Sequence, residues 1–202
     1  MLALVRLVPA IILISCAVPL AAADFSDPSW PCIQRKVGAL SPGLMWPEPP
    51  APAELAPETR AAVTELAELL TLRRVSPGDA QAAIQDFAHA HGPDRALMAQ
   101  VFAQTFHEIS ARRTRIIAGI GEFSLGQITL SDQIDTARAR MDSELAKESP
   151  DFDLVDRLEE QIDWDQRIFT DRQRTITYLC ETPTLLEKQL YAVAQMLQQA
   201  AH

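Results

Sequence analysis

Histidine, cysteine and clustered carboxylates are the side chains best suited to acid–base work, metal binding or covalent chemistry. Each occurs here in a pattern that limits what it can do. The histidines are His89, His91, His107 and the terminal His202. His89 and His91 flank Ala90 near a helix end, where the macrodipole alone favours them. His107-Glu108-Ile109-Ser110-Ala111 lacks the second histidine that a zinc-binding helix carries four residues on. Ser110, Ser124, Ser131 and Thr177 sit in no nucleophile elbow and have no evident histidine and acid partners. The expectation is a non-enzyme without metal or other cofactor.

Carboxylates are denser. Asp151, Asp153, Asp156, Glu159 and Glu160 crowd one side of Pro150, and Asp142, Glu144 and Glu148 the other. Asp151-Phe152-Asp153 has two alternating acids of a calcium loop, but neither the glycine of its sharp turn nor its twelve-residue frame. Acids at the start of a helix are favoured by its dipole. They also make a candidate interaction surface for a basic partner. Arg112, Arg113 and Arg115 form the opposite pole and are expected to pair with Glu65 and Glu68.

The cysteines are Cys16, Cys32 and Cys180. Cys16 lies in a leader pattern: Arg6, an apolar run from Leu7 to Val18, then Pro19-Leu20-Ala21-Ala22-Ala23 as a cleavage site. Residues 1–23 read as a signal peptide, which places the mature chain in the periplasm or outside the cell. The alternative is a lipoprotein anchored at Cys16, since Leu13-Ile14-Ser15-Cys16 matches a lipidation box, and membrane association is expected only in that case. Ordinary cleavage leaves Cys32 and Cys180, an even pair in an oxidising compartment, and hence an expected disulfide.

Eighteen basic and 27 acidic residues give a net charge of −9, which becomes 17 − 27 = −10 once Arg6 is removed. Such a surface repels phosphate backbones, so no nucleic-acid partner is expected.

The elements that must position these residues read as all-α. Residues 24–56 hold most of the prolines and form an extended strap. Trp30, Ile33, Val37, Leu40 and Trp46 are too apolar for a solvated tether, so the strap should pack along helices. Residues 57–202 then form one helical domain. Two short helices, about 58–74 and 77–91, are followed by a long hairpin of about 94–147 and 151–200. Ser76-Pro77 starts the second short helix and Gly92-Pro93 ends it.

The first hairpin arm carries Ile109, Arg113, Ile116, Ile120, Phe123, Gln127, Leu130, Ile134, Ala137 and Met141 at alternating spacings of four and three. The heptad passes Gly119, Gly121 and Gly126 without a slip, so one continuous helix is expected. The second arm repeats the pattern with Val155, Leu158, Ile162, Asp165, Phe169, Arg172, Ile176 and Leu179, and Pro183 should kink it or start a new segment. Folding at Pro150 gives antiparallel layers whose residue numbers add to 299. Gln127 then lies opposite Arg172, a polar layer suited to fixing register.

In general outline this hairpin resembles the periplasmic coiled-coil adaptors and hairpin chaperones of Gram-negative bacteria, which implies an interaction role. The expected function is a non-catalytic envelope interaction or scaffold protein whose partner is another exported protein. Its seams also suit pairing between copies of the chain. The alternatives are a holdase-like chaperone and, behind it, a metal-binding protein.

Overall fold

The computed structural model describes residues 27–48 and 54–201, all-helical apart from turns and the strap. The leader, Cys16 and the cleavage site near Ala23 lie outside the described residues, as does His202. Four helices follow the strap: α1 (Pro57–Leu70), α2 (Pro77–His91), α3 (Arg95–Leu145) and α4 (Phe152–Ala200).

Helix boundaries follow the side chains that satisfy free backbone groups. Ser76 accepts from the Asp79 N–H at the start of α2, Asp94 from Ala96 at α3, and Asp151 from Leu154 at α4. Gly92 ends α2 at a φ of 92°, a conformation that L side chains rarely adopt. α1 stops four residues short of the expected Arg74. The Thr71 hydroxyl turns back to the Glu68 carbonyl, and Arg112 and Gln189 donate to the Thr71 and Leu70 carbonyls from the two long helices. Those donors satisfy orphan carbonyls that another helical turn would have covered.

α3 is unbroken through all three glycines, as the heptad phase requires, and its 51 residues make it about 77 Å long at 1.5 Å each. α4 also runs on through Pro183, which is buried. Here the structure departs from the expected kink or restart. Pro183 continues the seam row beyond Leu179, so packing against α3 holds the helix on course despite the missing N–H, which costs a helix interior about 3 kcal/mol.

α3 and α4 pack against each other along a hairpin with three apolar zones. At the base, Val63, Leu70, Ile84, Phe102, Leu190 and Leu197 close a four-helix core, with α1 on α3 and α2 on α4. Fully burying a side chain of this size contributes about 1.5–3 kcal/mol. Midway, Ile120 and Cys180 meet Trp30 and Cys32 of the strap. Beyond that, Leu130, Ile134, Ala137, Leu158 and Ile162 form the outer seam, where, among the described residues, the two long helices pack only on each other.

The strap runs antiparallel to α3. Its Pro28 carbonyl accepts from Ser124, Val37 from Arg113, Trp46 stacks on Phe102 at 5.3 Å, and Glu48 pairs with Arg95 at 2.9 Å. Contacts thus descend α3 from 124 to 95, 29 residues or about 44 Å of helix. The expected disulfide is present: Cys32 and Cys180 are joined, with Cα atoms 5.5 Å apart.

The glycines facing the strap are not what admits it. A Cβ on Gly121 would meet Ser29 at 3.5 Å, ordinary contact, and one on Gly119 would meet nothing within 4 Å.

Candidate functional site

Building the hairpin end from its residues upward, the turn between α3 and α4 is organised by a carboxylate. Glu144, only 7% exposed, accepts the Asp151 backbone N–H at 3.1 Å and the Lys147 ammonium on its other oxygen. The Lys147 bond, reinforced by the Asp151 N–H, holds its carboxyl below the usual carboxylate range, against the opposing effect of burial. Asp151 in turn caps α4 through the Leu154 N–H at 3.1 Å. Two acids therefore link the end of one helix to the start of the next, and Asp151 has a structural task as well as an exposed surface.

The remaining acids of the candidate surface, Asp153, Asp156, Glu159 and Glu160, are exposed on α4. They lie along one helix rather than around a point. Among the described residues no three His, Cys, Asp or Glu side chains are placed to hold a metal ion. What charge counting missed is the apolar pair beside them. Phe152 is 64% exposed and Leu145 also projects, so the first residue of α4 and the last of α3 carry bare hydrocarbon at the distal end. Trp164, one α4 stretch below, is equally bare. A helical-wheel reading finds them, since none occupies a seam position.

Gln127 and Arg172 do not form the expected layer. The Gln127 amide donates to the Phe169 carbonyl at 3.1 Å, its own oxygen is buried without a partner among the described residues, and Arg172 is exposed. A guanidinium at the seam would lose its hydration, whereas its long stem lets the head group reach water.

Arg113 is the buried cation instead, 4% exposed. It donates to the Val37 carbonyl at 2.7 Å and faces Glu187 at 3.8 Å, while its Nε has no partner among the described residues. Burial lowers its pKa, and Glu187 partly offsets this. Arg112 caps α1 as described, and among the described residues none of Arg112, Arg113 and Arg115 forms an ion pair with Glu65 or Glu68. At the strap's other end Asp27 ties the strap to itself, through Ser29 and Lys36. Its carboxyl is pulled down to about 2 by hydrogen bonds from Lys36 and from the hydroxyl and N–H of Ser29.

The histidines are separate: His91 lies against the Phe87 ring at 4.9 Å, and His107 lines a groove between α1 and α3 with Glu68 and Glu108. A more apolar groove of about 300 Å³ lies between the α1–α2 connection and α4, lined by Leu72, Val75, Leu185 and Met196 among others. No described helix is long and apolar enough to cross a membrane. The chain matches no family model, no curated protein and no solved structure.

Proposed function

We propose that this chain is a non-catalytic interaction protein of an exported compartment, using the far end of its hairpin to engage another exported protein. The supporting observation is the combination at that end. Phe152 and Leu145 are exposed on a rigid two-helix stalk, Glu144 and Asp151 fix the turn between them, and carboxylates surround it. A knob of this kind fits an apolar socket rimmed by Lys or Arg, because the carboxylates set the charge that the partner must present. The Cys32–Cys180 bridge supports an oxidising compartment, in keeping with the leader read from residues 1–23.

The test is crosslinking and co-purification from the native envelope, followed by reconstitution with the purified partner. Replacing Ser143 to Arg157 by a short turn should leave the base folded and abolish capture, and Phe152→Ala should weaken binding at least about tenfold, as for an interface anchor. Undiminished binding by both variants would sink this reading.

The holdase alternative needs an open apolar cradle between strap and stalk. The strap lies against α3 through Ser124, Arg113 and Phe102, which leaves that space filled. Strong hydrophobic-dye binding with suppression of client aggregation would reverse the preference.

A further inference from the structure

α4 carries a second row of residues at heptad spacing on the flank beside its seam, where Ile168 is half-buried against the outer seam and the aromatic members are bare. Gln161, Trp164, Ile168, Asp171, Thr175 and Tyr178 follow one another at intervals of three and four. They lie one position before the seam residues Ile162, Asp165, Phe169 and Ile176. Trp164 is 64% exposed and Tyr178 73%. Two aromatic rings left bare at seam spacing are the signature of a helix face that lacks its partner.

Charges at the edge of this row say what that partner is. Asp153, Glu160, Arg167 and Arg174 stand seven residues apart, all exposed, in the order acid, acid, base, base. A parallel copy would set acid on acid. Run antiparallel, the same edge complements itself: Glu160 meets Arg167 of a second copy and Asp153 meets Arg174. Both pairs add to 327, so one register satisfies them together, and the two-fold axis repeats them to give four.

That register lays Trp164 over Gln161 of the second copy and the stem of Arg157 over Ile168, with the axis between Gln161 and Trp164. Arg174 already has an internal partner in Asp171 at 3.3 Å, but both are about three-quarters exposed, and such a pair exchanges at little cost. The two Trp164 rings, one from each copy, would supply affinity, and the charges direction and register.

The geometry points to a second copy of this chain as the occupant: two hairpins pack α4 against α4, antiparallel, over residues 153–174. This does not rest on the distal knob: the face is centred about ten residues from Phe152 and shares with that end only the carboxylates Asp153 and Glu160, not Phe152 or Leu145.

Sedimentation equilibrium of the purified protein over about 1–100 µM tests it. The expected result is a monomer–dimer equilibrium that weakens with salt. Glu160→Arg and Arg167→Glu, both exposed substitutions, should each raise the dissociation constant about tenfold or more, and Trp164→Ala should give a monomer with unchanged helical circular dichroism. The decisive variant is the double exchange Glu160→Arg with Arg167→Glu, which swaps each pair and should restore dimerisation to within about threefold. A monomer across the whole range overturns the proposal. So does a dimer indifferent to these substitutions, or a double exchange as weak as the singles. Binding of an unrelated helical partner to this face by a protein that stays monomeric overturns it too.

Discussion

Glu144 accepts the backbone N–H of Asp151 across the hairpin turn, so the last buried residue of α3 holds the cap residue of α4. An ionised carboxylate is the stronger acceptor for this bond, and Lys147 on the second oxygen favours that form. Because this carboxyl sits below the ordinary range, its contribution to stability is fully present above the unfolded-state pKa of about 4.3. It disappears as pH falls through the lower folded value. Glu144→Gln should therefore melt earlier than the parent at neutral pH, and the gap should narrow on acidification toward about pH 3. Thermal scans across that range check this, and a pH-independent gap would contradict it.

Cys32–Cys180 closes a separation of 148 residues. The double substitution Cys32→Ser with Cys180→Ser should cost about 2–5 kcal/mol in chemical denaturation, the upper end coming from the loop-entropy model. Arg113, Trp46 and Gln198 still hold the lower strap to the helices. Hydrogen exchange should accordingly quicken near residues 28–34 and leave the helical signal intact. Loss of helix would mean that the bridge supports the hairpin itself.

At Arg113, truncation and replacement separate charge from volume. Arg113→Ala removes the donor to Val37 and leaves a hole in the seam, and should cost about 2–4 kcal/mol. Arg113→Met refills the hole without a buried charge and should cost less than half as much. Equal losses in urea titrations would show that the hydrogen bond, rather than packing, dominates.

Gln127 leaves an amide oxygen buried without a partner among the described residues. Gln127→Leu should raise stability by about 1 kcal/mol, while Arg172→Ala, at an exposed site, should stay within about 0.5 kcal/mol of the parent. A large loss from Arg172→Ala would restore the idea of a polar layer shared by the two residues.

These residues also mark what the sequence makes legible. Ile120, Ile134, Leu158 and Ile162 belong to a repeat, and a repeat whose phase survives three glycines outweighs their local propensity. Pro150 and the cap-forming Asp151 then locate the turn, and the parity of cysteines after a leader points to Cys32 and Cys180. Glu144, Arg113 and Gln127 are different. Each bonds to a main-chain group on another element, at Asp151, Val37 and Phe169, and every residue offers such groups. No side-chain pattern identifies which carbonyl or N–H a long side chain will reach. For the same reason, charge pairing misplaced Arg112, and the heptad register misplaced Arg172. Pro183 shows the reverse case, a strong local breaker overridden by the seam in which it is buried.

The outer seam, built of whole heptads between the two long helices, behaves as an adjustable ruler. Taking seven residues from each arm, Ile134 to Arg140 and Arg157 to Asp163, would keep every remaining knob in its hole and shorten the reach by about 10 Å. The base and strap would be untouched. The distance between anchor and tip is thus a quantity this sequence can change in discrete steps.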